Sequence, residues 1–198
     1  MSGTSGTAPA APGAPQSFRL MPFDPATAPA GVQLEGDLQR TGNRLQLRYR
    51  LADPSGAIRI PPADAAPARR DGLWSRTCLE LFLAVPGEAA YWEFNLSPSG
   101  DWNVYRLGGY RQGLAPEPAV VALPLAVERR GDGLELELAF ELAPLVADDQ
   151  PLQVAVTAVL EPHAPAGGGD AGPLSYWALG HPGPEADFHH RGGFLLRI

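Results

Sequence analysis

The sequence predicts an all-β chain, an antiparallel two-sheet β-sandwich of jelly-roll or immunoglobulin-like type with little helix. Three observations predict it. The stretch from Leu73 to Gly113 alternates apolar and polar residues around two turns. Leu134, Leu136, Leu138, Phe140 and Leu142 alternate with Glu135, Glu137 and Glu141, a period of two that belongs to strands. The 23 Gly and 22 Pro among 198 residues supply many turns and leave little room for long helices. The length suits one domain, expected over residues 17–198. Residues 1–16, all but Met1 and Gln16 drawn from Ala, Pro, Gly, Ser and Thr, are expected to form a disordered tail.

In chain order, Ser17 to Phe23 reads as a first strand. Val32 to Arg40 and Arg44 to Ala52 alternate around Thr41-Gly42-Asn43 and read as a hairpin, with a bulge expected at Gly36. Ile58 to Ile60 is a short strand and Pro61 to Asp71 a loop. A three-stranded meander follows: Arg76 to Ala84, Ala90 to Leu96 and Asp101 to Leu107. Its turns are Val85-Pro86-Gly87-Glu88 and Ser97-Pro98-Ser99-Gly100-Asp101. After a loop from Tyr110 to Pro118, Pro124 places the strand in Ala119 to Arg130 at an edge or a bulge. Gly131-Asp132-Gly133 turns into the Leu/Glu strand. Ala143 to Asp149 forms a helical turn, Leu152 to Leu160 a strand and Pro162 to Gly172 a Gly-rich loop. Leu174 to Leu179 is a strand containing Trp177. A loop bearing Asp187, Phe188, His189 and His190 leads to a closing strand, Phe194 to Ile198.

Parity sets the register of the meander, because a slip of one residue would turn every side chain to the other face. The favourable register puts Leu79, Leu81 and Leu83 with Trp92, Phe94 and Leu96 on a core face. The opposite face then gathers Glu80, Tyr91, Glu93 and Asn95, with Cys78 and Phe82, and Asn103 and Tyr105 join it from the third strand. A sheet face carrying carboxylates, an amide and aromatics is either solvated or a binding surface.

Composition excludes several function classes. The net charge of −7 argues against a nucleic-acid partner, which calls for a basic patch. All fifteen basic residues are Arg, so a lysine phosphate loop or lysine Schiff base is ruled out. The single cysteine, Cys78, excludes an internal disulfide and a multi-cysteine zinc site, and reads as a small buried hydrophobe. No run approaches the ~20 apolar residues of a membrane helix, and no membrane partner is expected. The N-terminal residues lack the pattern of a signal peptide, so a cytoplasmic location is expected.

The run Leu73-Trp74 … Thr77-Cys78 … Glu80 … Phe82, then Tyr91-Trp92-Glu93-Phe94-Asn95 … Trp102 … Tyr105, and finally Tyr176-Trp177 and Asp187-Phe188-His189, resembles a DOMON-like family. These bacterial proteins are grouped with family 9 carbohydrate-binding modules. The resemblance spans roughly Ser17 to Ile198. It implies a β-sandwich that clamps a sugar between two tryptophans, with a carboxylate six residues after the first. Trp74 and Glu80 match that spacing, Trp177 stands as the second wall, and Asn95 matches a polar position on the neighbouring strand. The implied function is non-catalytic binding of a small, sugar-like ligand. Indoles stack on apolar sugar faces, while carboxylates and amides take hydroxyls in fixed directions. The candidate ligand-binding residues are therefore Trp74, Glu80, Asn95, Trp177, Glu93, Tyr91 and His189.

Other readings compete. Trp74 and Trp177 can be packing residues, and Trp92 and Trp102 are assigned to the core. Glu80 can belong to an ion pair with Arg76, Arg106 or Arg111. Glu80 and Glu93 can form a glycosidase dyad. Asp187, His189 and His190 can hold a metal ion. Haem is the alternative ligand because other DOMON domains bind it through Met and His, and Met1 and Met21 are the methionines present. A scaffold role without a small ligand is the third class. No cofactor is required by the favoured reading, and the oligomeric state is left open.

Overall fold

The computed structural model describes residues 13–164 and 172–198. Most of the tail and most of the Gly-rich loop expected from the sequence thus lie outside the described residues. The first strands are β1 (Gln16–Arg19), β2 (Met21–Pro22), β3 (Gln33–Thr41) and β4 (Arg44–Ala52). The meander supplies β5 (Cys78–Ala84), β6 (Tyr91–Leu96) and β7 (Trp102–Leu107). Then come β8 (Ala115–Pro116), β9 (Leu125–Arg130), β10 (Gly133–Glu141), β11 (Gln153–Leu160), β12 (Ser175–Ala178) and β13 (Leu196–Arg197). Short 3₁₀ turns span Leu73–Ser75 and Arg191–Gly193.

Two antiparallel sheets face each other. One runs β1-β3-β4-β10-β9 and the other β2-β12-β11-β5-β6-β7-β8, with β13 also paired to β11. In the first sheet the alternation seen in the sequence maps directly onto burial. Leu45, Leu47, Tyr49 and Leu51 sit opposite Phe140, Leu138, Leu136 and Leu134, all of them buried. The outer face is solvated. Arg48 and Arg50 there pair with Asp37, Glu135 and Glu137, which explains the interleaved charges.

The first expected strand divides. β1 pairs with β3 while β2 pairs with β12 of the other sheet, and Leu20 drops into the core between them. Gly36 is not a bulge: it pairs in register with Tyr49. Its lack of a side chain is a packing requirement, since a Cβ there would lie 2.6 Å from the Phe18 ring and collide with the Arg48 carbonyl. Ile58 contributes a single bridge to Pro162 rather than a strand.

In the second sheet, Leu79, Leu81 and Leu83 pair with Leu96, Phe94 and Trp92, and the same face continues through Val104 on β7 and Val156 on β11 into the main core. The register derived from parity holds. Tyr49 reaches across the sandwich, its hydroxyl donating to the Glu80 carbonyl. The opposite face of this sheet carries the polar set, and loops roof part of it. Phe194 and Phe188 from the last loop close over Phe82, Ala84, Tyr91, Tyr105 and Leu107 as a second, smaller apolar cluster.

Candidate functional site

Where the roof stops, the face opens into a cavity of about 690 Å³. Glu80 and Glu93 line its floor, Trp74, Tyr176 and Phe188 line its walls, and Arg111 and His189 stand at its side. Adjacent strands β5 and β6 position the two carboxylates. Glu80 faces Asn95 and Phe82 faces Glu93, so the two glutamates are diagonal neighbours, roughly 7–8 Å apart at the backbone.

Both carboxyl groups are nearly sealed by protein, Glu80 at 2% exposure and Glu93 at 5%. Glu80 accepts one side-chain hydrogen bond, from Thr157 on β11 to Oε2 at 3.2 Å, and its Oε1 receives none among the described residues. Glu93 accepts from Asn95 Nδ2 at 2.8 Å. Burial, then the charge of Glu93, pushes the Glu80 pKa well above the ordinary carboxylate range. Burial raises that of Glu93 as well. The arginine ion pair considered for Glu80 does not form: among the described residues Arg76, Arg106 and Arg111 all lie outside ion-pairing distance of it. Arg106 instead sits over the Trp92 ring at 5.3 Å.

Arg111 holds Asp187 through Nη2 at 2.9 Å and Nε at 3.3 Å, and the Tyr110 hydroxyl donates to the other Asp187 oxygen at 2.6 Å. His189 leans over β6. The Tyr91 hydroxyl accepts from the Arg111 amide at 3.2 Å and shares a hydrogen bond of 2.7 Å with His189 Nδ1. The other ring nitrogen, Nε2, lies 4.0 Å from Glu93 Oε2. Burial, then the charge of Arg111, lowers the His189 pKa to about 4, so the ring is neutral at physiological pH. His190 is turned away, its Nδ1 accepting from the Gly192 amide. Asp187, His189 and His190 therefore have separate partners, and no group of three or more metal-ligating side chains occurs among the described residues.

Trp74 lies in the 3₁₀ turn Leu73–Ser75, which a left-handed Gly72 introduces. The turn lifts the indole off the sheet end and leaves it 38% exposed, with its ring against Tyr105 edge-on at 5.6 Å. Trp177 requires a correction. It is 4% exposed and belongs to the main core, with its Nε1 donating to Ser175 Oγ. The physical reason is parity: Trp177 pairs with Ala158, a core position, while Tyr176 pairs with Val159, which lines the cavity. The aromatic on the cavity side of β12 is thus Tyr176, packed edge-on against Phe188.

The structure brings Trp74, Glu80, Glu93 and His189 to one cavity. Asn95 and Tyr91 lie under it and hold Glu93 and His189 in place. Sequence reasoning does not place Tyr176, Phe188 or Thr157 in the site and offers Arg111 only as an ion-pair partner for Glu80. Two adjacent aromatics on the short β12 leave parity undecided for Tyr176, and the other three depend on which loop or strand folds beside β5 and β6. Cys78 is buried with its thiol toward Asn95 Oδ1 at 3.6 Å, and burial raises its pKa, in keeping with a packing role.

No family model matches the chain, and no curated protein matches it. Among solved structures it is similar to a Bacteroides uniformis protein provisionally described as carbohydrate-binding, with a TM-score of 0.56 and 13% identity over 90% of this chain and 83% of the other. A family 9 carbohydrate-binding module from Caldicellulosiruptor kristjanssonii, solved with glucose, gives a TM-score of 0.44 at 13% identity over 77% of this chain and 69% of that one. A family 9 module from the same organism solved with cellotriose gives 0.39 at 12% identity, over 77% of this chain and 68% of the other. At these identities what the chain shares with the Bacteroides protein is its fold: the two-sheet antiparallel sandwich.

Proposed function

We propose that this chain is a non-catalytic carbohydrate-binding domain that takes its ligand in the cavity on the open face of the second sheet. The observation that carries the reading is the floor of the cavity. Two nearly buried carboxyl groups turn hydrogen-bonding capacity into a concave space walled by Trp74, Tyr176 and Phe188. A few fixed polar groups among aromatic walls match a polyhydroxylated ring, which presents hydroxyls along its edge and C–H groups on its faces. Trp74 and Tyr176 act as the walls, in place of a pair of tryptophans. Glu80 and Glu93 take hydroxyls, Asn95 orients Glu93, and Tyr91 orients His189 at the rim. The Bacteroides protein of the same fold carries a carbohydrate-binding description, which agrees with this reading.

Intrinsic fluorescence during titration with glucose and cellotriose tests it. A saturable change is expected, and Trp74→Ala should remove it, since an aromatic contact is worth on the order of 1 kcal/mol and weak binding would drop out of range. The same saccharides carrying chromogenic leaving groups should be bound and left uncleaved. A broad glycan screen without any response would defeat the proposal and favour a scaffold role.

A further inference from the structure

The floor of the cavity holds two carboxyl groups side by side, and burial pushes both toward the protonated state. The hydroxyls of a neutral sugar can satisfy their oxygens, but only a positive charge offsets the cost of ionising the pair away from water. Within the protein the charge of Arg111 acts on Glu93, and no cation acts on Glu80 among the described residues. Arg111, the one guanidinium lining the cavity among the described residues, spends two donor groups on Asp187. His189 is neutral, with Nδ1 engaged by Tyr91. From β5 and β7 the titratable neighbours on the same face are Cys78 and Tyr105, both uncharged at physiological pH. From β11 the facing group is the Thr157 hydroxyl, and from β12 the Tyr176 phenol. The walls, meanwhile, are aromatic faces, which attract cations.

We propose that the ligand is cationic: the cavity takes an amine-bearing saccharide whose ammonium group sits between Glu80 and Glu93, beside Trp74 and Tyr176. The inference rests on the carbohydrate reading and names the class of sugar within it. An ammonium donates three hydrogen bonds and carries the missing charge, so it answers both demands of the floor at once. Glu80 Oε1, left without a donor among the described residues, is an open acceptor for it.

Calorimetric titration of the full chain at pH 6.5 tests this with D-glucosamine, D-glucose and N-acetyl-D-glucosamine. The last keeps the ring and removes the charge. Glucosamine is expected to bind at least tenfold more tightly than either neutral sugar. In Glu93→Gln the ratio should shrink to about threefold or less, and Glu80→Gln serves as the second variant should the first fail to fold by circular dichroism. Glucose or N-acetylglucosamine binding as tightly as glucosamine would overturn the charge inference and leave the carbohydrate reading standing. Binding of choline with no response to any of the three sugars would uphold the cation site and overturn the carbohydrate reading. No binding of any of the four would overturn both.

Discussion

Replacing Glu80 by glutamine should make the protein more stable at neutral and mildly alkaline pH. Glu80 is sealed within the sheet, receives one hydrogen bond at 3.2 Å and has Glu93 as its diagonal neighbour. Burial and that neighbour raise its folded pKa well above the ordinary carboxylate range. The sign follows from proton counting. Between the unfolded pKa and the raised folded one, the native state binds more protons than the unfolded chain, so stability falls as pH rises through that window. The substituted amide has no charge to desolvate, and its oxygen keeps the Thr157 hydrogen bond. The variant therefore gains on the wild type by about 1.4 kcal/mol for each unit of elevation, which is roughly 3–5 °C in Tm for a domain of this size. Urea melts of both proteins at about pH 4.5, 6 and 8, spanning that window from the ordinary carboxylate range upward, read the difference. The gap should open with pH and vanish at the lowest of the three. A variant less stable than the wild type at the highest would mean that Glu80 is held ionised by a favourable partner, and the picture of an uncompensated floor would be wrong.

Other expectations concern neighbouring parts of the fold. His189, with its pKa lowered to about 4, favours the neutral ring in the native state, so its contribution is constant above about 6.5 and is lost as pH falls from there toward 4. The loss is at most roughly 3 kcal/mol and is reduced by solvent at the rim; His189→Gln should flatten that part of the pH–stability curve in urea melts. Trp177→Ala should destabilise by about 3–5 kcal/mol, read as a drop in the urea midpoint, because the indole is core. Gly36→Ala should destabilise severely and broaden or abolish the thermal transition, since its Cβ would strike the Phe18 ring and the Arg48 carbonyl.

Much of this architecture is legible in the sequence where a single face is buried. In β4, β10 and the first two strands of the meander, every second residue is apolar, and the period fixes the register; in β7 Arg106 interrupts it. Glu80, Glu93 and Asn95 could therefore be placed together before any coordinates. β12 defeats the same logic because Tyr176 and Trp177 are both aromatic and the strand is four residues long. Hydrophobicity then does not say which one faces the core; the pairing with Ala158 and Val159 does. The roof of the cavity is likewise set by long-range contacts, such as Arg111 with Asp187. Gly36 reads as a bulge in isolation, and only the Arg48 carbonyl and the Phe18 ring packed against it give the reason for a glycine. The crossing at Leu20 is hidden because Leu20-Met21-Pro22-Phe23 is apolar throughout and carries no turn signal at the point where the chain changes sheets.

The four tryptophans permit the most direct test of where the ligand sits. Their indole N–H groups give separate signals in a two-dimensional ¹H–¹⁵N spectrum, assignable by single Trp→Phe variants. Trp92 is bonded to Glu117 and Trp177 to Ser175, Trp102 is stacked under Arg69, and all three are buried. Titration with D-glucosamine, D-glucose and cellotriose should move the Trp74 signal saturably while the other three stay in place. A shift of Trp177 with Trp74 unmoved, or four stationary signals at saturating saccharide, would contradict a binding site above Glu80 and Glu93.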